Sequence, residues 1–109
     1  MTPEKRLEAF QRMVEQRPED PFARYSLAMA LRSAGRGEDA VREFEQLRRR
    51  APAYVPTYLM LGQVLETLGK GAEAARAYQD GMAAAAKAGQ EHARSELAQA
   101  LEVLRAQGA

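Results

Sequence analysis

His92 is the only histidine among the 109 residues, and cysteine is absent. A histidine beside a carboxylate, here Glu91, is the least that a general base or a metal site requires. Metal sites normally draw on three or four ligands, and no second imidazole or thiolate exists to join His92. Gly35, Gly37, Gly69 and Gly71 are spaced closely enough to raise a phosphate-binding loop, but no strand pattern precedes either pair. The run Arg48-Arg49-Arg50 raises nucleic acid, yet no aromatic residue is interleaved with it as a base-stacking surface requires. The carboxylates recur at the spacing of solvated helix faces. These residues read as a surface histidine, turn punctuation, a helix C-terminus and solvated charge. The chain is therefore read as not an enzyme, with no catalytic residue, metal or cofactor.

The overall balance agrees. Sixteen basic residues against 15 acidic give a formal net charge of +1. Such a charge gives no pull toward nucleic acid or an anionic membrane. The opening MTPEKRLEAF has no apolar core of signal-peptide length, and no apolar run approaches the ~18 residues of a membrane span. A cytoplasmic location follows by default. At this length one domain is expected, able to bury roughly two thirds of its unfolded surface. Alanine dominates the apolar residues, with three Phe, four Tyr and no Trp. Small side chains in such number suit helices that approach closely.

The elements that carry these residues repeat. A shift of 34 places Leu27 on Leu61, Leu31 on Leu65, Gly35 on Gly69, Gly37 on Gly71, Ala40 on Ala74 and Phe44 on Tyr78, with Ala28 on Gly62. Backwards, the same shift places Leu7 on Val41, Phe10 on Phe44, Met13 on Leu47 and Pro18 on Pro52. At a shift of 70, Leu97 to Leu101 echoes Leu27 to Leu31. The chain divides into a half repeat (1–18), repeat one (19–52), repeat two (53–87) and a closing helix (88–109), together one domain spanning 1–109.

Each repeat reads as helix, tight turn, helix. Leu27, Ala28, Leu31 and Ala34 form a helical stripe. Gly35 and Gly37 bracket the turn, where positive φ favours glycine. Glu38 and Asp39 suit the start of the next helix, whose dipole favours negative charge. Val41, Phe44 and Leu47 continue the stripe. Arg48 to Arg50, offset by Glu43 and Glu45, close that helix, and Pro52 stops it. The spacing predicts helices over about 3–16, 21–34, 55–68, 72–87 and 90–106, with one more between Gly37 and Pro52. Thr2 is placed to cap the first, with Pro3 in its first turn.

This pattern resembles the tetratricopeptide repeat, W-x2-L-G-x2-Y, then A-x3-F, then P, over 34 residues. Repeat two supplies Tyr58, Leu61, Gly62, Leu65, Ala74 and Tyr78. Repeat one supplies Leu27, Ala28, Leu31, Ala40, Phe44 and Pro52. Arg24 departs from the pattern, standing where the family has an aromatic. Ala86 stands in place of the closing proline, so the second helix of repeat two is expected to run on by about a turn. The resemblance implies an all-α, right-handed solenoid of antiparallel helix pairs, about six helices in all. Ala28 and Gly62, with Ala40 and Ala74 opposite them, let paired helices approach, and Phe44 and Tyr78 fill the wedge between repeats. Neighbouring repeats complete each other's core. Leu7, Phe10 and Val14 have one neighbour only, and Glu91, Arg94, Glu102 and Arg105 give the closing helix a polar outer face.

In this family the first helices of the repeats line a concave groove. By resemblance that face carries Tyr25, Met29 and Arg32, then Leu59, Gln63 and Glu66, with Phe22 and Pro56 at the groove's edge. Ser95, Gln99 and Glu102 join from the closing helix. The implied function is a protein-interaction module that holds a peptide or helix of a partner protein. Tyr25, Met29 and Leu59 serve as anchors, and Arg32, Gln63 and Glu66 set orientation. These groove side chains are expected to make few contacts within their own chain. No nucleic-acid or membrane partner is implied. The alternative is a self-associating structural subunit, a homodimer formed through the N-terminal end or the same groove. Some family members grip a C-terminal carboxylate with Lys, Arg and Asn; the matching Tyr25, Met29, Leu59 and Gln63 lack that pattern.

Overall fold

The computed structural model of the chain describes residues 2–108. Met1 and Ala109, the outer limits of the expected domain, lie outside the described residues. Six helices and no strand are present among the described residues: α1 (Pro3–Gln16), α2 (Pro21–Ser33), α3 (Gly37–Arg50), α4 (Pro56–Thr67), α5 (Gly71–Lys87) and α6 (Glu91–Ala106). Each packs on the next, and α4 also meets α6. This is the helical solenoid expected from the repeats. Among the described residues no helix is long and apolar enough to cross a membrane.

Local signals place the helix ends. Thr2 Oγ1 accepts from the Lys5 N–H at 3.2 Å, and Asp20 Oδ1 accepts from the Phe22 N–H at 3.0 Å. Each satisfies a donor that the first helical turn leaves free. The α2–α3, α4–α5 and α5–α6 turns all close in one way. A glycine with positive φ (Gly35 at 75°, Gly69 at 76°, Gly89 at 72°) follows the helix. The next N–H then reaches back to a carbonyl in the last turn: Arg36 to Leu31 O, Lys70 to Leu65 O, Gln90 to Ala85 O. This is the Schellman closure, which satisfies carbonyls left open at a helix end. Gly37 does not share it. Positive φ is confined to Gly35, Gly69, Gly89 and Gly108, and Gly37 is instead the first residue of α3. A Cβ there would lie 3.3 Å from Leu68 Cδ2, so its role is close approach to the end of α4.

The core follows the small-residue spacing. Ala28, Ala40 and Ala74 are fully buried, as are Phe44 and Tyr78. The two rings meet the helices that precede them within each pair, rather than forming only a wedge between repeats. Phe44 packs edge-on against Tyr25 of α2, and Tyr78 lies over Gly62 of α4. Gly81 adds an unanticipated close contact: its Cβ would meet Tyr58 Cβ at 2.5 Å and Leu97 at 3.0 Å. With no proline at Ala86, α5 extends to Lys87 and runs to 17 residues against 14 for α3. On α1, Leu7 is buried while Phe10 and Val14 remain half-buried.

The charged residues divide between pairs and solvent. Arg24, where the family has an aromatic, is only 11% exposed and donates to Glu43 at 2.8 Å. Glu43 therefore does not offset the arginine run. Glu45 lies 3.6 Å from Arg48, which also pairs with Asp80, and Arg50 meets Glu19 at 3.3 Å.

A candidate partner-binding face

Helical spacing sets which side chains of α2, α4 and α6 reach the side of the solenoid away from α3 and α5. Positions three and four apart share a face. On α2 these are Phe22, Tyr25 and Met29, and on α4 Leu59, Gln63 and Glu66. Three clefts run along this side. One of about 300 Å³ lies between α1 and α2, lined by Arg6, Phe10, Phe22, Tyr25 and Met29 among others. A second, about 210 Å³, is walled by Tyr25, Val55, Pro56, Leu59 and Met60 with Ala93 and Leu97 of α6. The third, about 460 Å³, lies between α4 and α6 and holds Leu59, Gln63, Glu66, Gln99, Ala100 and Val103.

Six of the seven expected residues therefore line connected clefts. Phe22, Tyr25 and Met29 share the first; Tyr25 and Leu59 meet in the second; Leu59, Gln63 and Glu66 share the third. Arg32 lines none of the three and bridges α2 to α4 instead, its guanidinium donating to Met60 Sδ at 3.3 Å. The α6 lining is Glu96, Gln99, Ala100 and Val103, so Gln99 falls as expected while Ser95 and Glu102 sit to either side of it.

Tyr25 is not the loosely held anchor that the spacing suggests. Its ring lies edge-on to Phe44 at 6.2 Å and to Tyr54 at 5.9 Å. Burial raises its pKa, opposed by the Arg32 charge. Phe22 is the freely offered ring, 58% exposed. Its counterpart at the far end is Val103, 53% exposed. Among the described residues these are the exposed large hydrophobic side chains, and each lines one of the three clefts.

Glu66 is held from beneath. The hydroxyl of fully buried Tyr78 donates to its Oε2. Burial, then that hydrogen bond, raises the Tyr78 pKa well above the ordinary phenol range. The phenol stays a proton donor at neutral pH, and Glu66 lines the third cleft while accepting from it. His92 stands on the solvent side of α6, its Nε2 3.7 Å from Glu96.

Comparison with known proteins places this architecture. A tetratricopeptide repeat model matches residues 7–55 and 25–94, and the chain belongs to that family. Among solved structures, it resembles a tetratricopeptide repeat domain protein from Salinibacter ruber. That protein is 36% identical, with 80% of this chain and 88% of that one covered and a TM-score of 0.77. Two more distant structures share the fold. PcrH, solved in complex with the chaperone binding region of PopD, is 17% identical, with 94% of this chain and 78% of that one covered and a TM-score of 0.86. The TPR2B domain of yeast Sti1, solved as a complex with pHsp70, is 18% identical, with coverages of 93% and 81% and a TM-score of 0.86. No curated protein gives a significant match to the chain.

Proposed function

We propose that this protein is a non-catalytic interaction module that holds a peptide or helix of a partner protein along the α2–α4–α6 face. The observation that carries this reading is the placement of Phe22 and Val103. Monomeric surfaces scatter single apolar side chains, but here both line clefts on one side of the solenoid, with Met29, Tyr25 and Leu59 between them. An adaptable methionine and rigid rings beside a shallow apolar row are what interface centres commonly use. The fold is shared with PcrH and Sti1, both solved with polypeptide partners, which supports the same use here. Phe22 and Leu59 serve as anchors, Gln63 and Glu66 orient the ligand, Tyr25 walls the first two clefts, and Arg32 acts from outside them by holding Met60.

Capture from a lysate of the source organism tests this. The parent chain is compared with Phe22→Ala plus Leu59→Ala, and with Arg49→Ala on the exposed side of α3. The α2/α4 double change should abolish capture of a heterologous protein while Arg49→Ala leaves it intact. Loss with Arg49→Ala alone would move the partner to the α3–α5 side. A chain that dimerises without any partner, in light scattering across a concentration series, would favour self-association instead.

A further inference from the structure

The charges along this face are segregated. The two clefts of this face that α4 and α6 share have Glu66 and Glu96 as their charged lining and the α1–α2 cleft has Arg6, while Glu66 also borders a separate cleft against α5, where Arg76 and Arg105 stand. Glu66 accepts from a neutral hydroxyl, that of Tyr78. Glu96 faces the His92 imidazole at 3.7 Å. Neither carboxylate has a lysine or arginine partner among the described residues. On α3 and α5, by contrast, Asp39, Glu43, Glu45 and Asp80 are each held by an arginine, with Glu38 and Glu73 left to solvent at the first turns. Arg32 donates to the Met60 thioether and makes no ion pair with either carboxylate, although its charge reaches the Tyr78 hydroxyl that Glu66 holds.

Between Glu66 and Glu96 lies an apolar floor of Leu59, Ala100 and exposed Val103. A ligand that seats an apolar side chain on this floor draws its neighbouring residues over the two carboxylates and removes water from them. Desolvating an unmatched carboxylate is costly; a cation placed against it offsets that cost and an anion adds to it. We propose that the segment bound at the α4–α6 end carries an apolar anchor flanked by lysine or arginine, with its basic flank over Glu66 and Glu96 and away from Arg6. This rests on the reading of the face as a peptide-binding groove and adds the chemical class and polarity of the ligand.

Three fluorescein-labelled synthetic peptides of about twelve residues test it, sharing leucine anchors and differing only in lysine, serine or glutamate flanks. Fluorescence anisotropy with the full chain should show the lysine peptide binding at least about tenfold tighter than the glutamate peptide. The gap should shrink as salt screens the charges. Glu96→Lys should erase or reverse the preference, Glu96→Gln should reduce it, and Val103→Ser should weaken all binding. Both positions are exposed, and circular dichroism checks that the variants fold. Equal affinity for the three peptides, still weakened by Val103→Ser, would overturn the polarity and leave the groove standing. Tight lysine-peptide binding indifferent to both Glu96→Lys and Val103→Ser would place the basic ligand elsewhere and overturn the proposal. No binding by any of the three would overturn the proposal together with the groove.

Discussion

Tyr78 occupies the space that any side chain at position 62 would need: a Cβ built on Gly62 would lie 2.6 Å from Tyr78 Cζ and 2.7 Å from Cδ1. The backbone of α4 lies directly against this ring, and the ring's hydroxyl donates to Glu66, which lines the cleft between α4 and α6. One glycine thus couples the approach of two helices to the position of a cleft-lining carboxylate.

Gly62→Ala should therefore destabilise the fold, although glycine to alanine within a helix ordinarily gains about 1 kcal/mol. Overpacking costs of about 1–3 kcal/mol are expected to win. The equivalent positions in repeat one are Ala28 and Phe44, both fully buried, so that repeat accommodates an alanine where the aromatic carries no hydroxyl. The double change Gly62→Ala with Tyr78→Phe should recover part of the loss. Urea denaturation of the single and double variants measures the coupling, and strict additivity would contradict this account of the contact.

Thr57 gives a prediction of opposite sign. Its side chain is fully buried, and Oγ1 has no hydrogen-bond partner. A buried unsatisfied hydroxyl costs about 1–3 kcal/mol. The equivalent position 34 residues earlier is Ala23, also fully buried. Thr57→Val, which keeps the shape and removes the hydroxyl, should raise the denaturation midpoint, by about 1 kcal/mol in free energy. A fall in the midpoint would mean the hydroxyl is satisfied in solution.

Alkaline pH provides a third test. Tyr25, Tyr54, Tyr58 and Tyr78 all have raised pKa values, each chiefly through burial, from an ordinary value of 10.0. The native state then holds protons that the unfolded chain releases. The stability these groups contribute is present below pH 10 and is lost as pH rises through their folded values. Phenolate absorbance should lag in the folded chain relative to a chain held in denaturant, and unfolding should begin above pH 10. Tyr78→Phe should remove part of that sensitivity. Coincident titration curves for folded and unfolded chains would contradict the burial of these rings.

Much of this architecture is legible in the sequence because repeats print their geometry twice. Glycine recurring at 35 and 69 marks one closure, and the Ala28/Gly62 and Ala40/Ala74 pairs mark close approach through side-chain size alone. The absence of proline at Ala86 likewise shows in the longer α5. What the spacing does not carry is anything set by how helices cross. Tyr25 looks free on a helical wheel but is clasped by Tyr54, a residue of the α3–α4 connection, and by Phe44. Gly37 reads as a turn glycine but serves the approach of Leu68. Arg6, Phe10 and Val103 enter the clefts from α1 and α6, whose registers on α2 and α4 are set by packing rather than by the repeat.

These contacts separate stability from binding on α2. Tyr25→Ala should cost stability, since it removes two aromatic contacts, each worth about 0.5–1.5 kcal/mol beyond burial. Phe22→Ala, at an exposed position, should stay within about 0.5 kcal/mol of the parent and cost binding instead. Thermal melts beside capture of the partner distinguish the two. Equal losses of stability at both positions would remove Phe22 from the ligand-facing set.

The central claim is that a partner polypeptide lies along the α2–α4–α6 side, and site-specific photo-crosslinking tests it most directly. A photoreactive phenylalanine analogue is placed at Phe22, at Val103 or at Arg49, and the irradiated products are identified by mass spectrometry. Adducts to a heterologous protein from Phe22 and Val103, with none from Arg49, are the predicted result. Adducts from Arg49 alone, or adducts made only of a second copy of this chain, would contradict it.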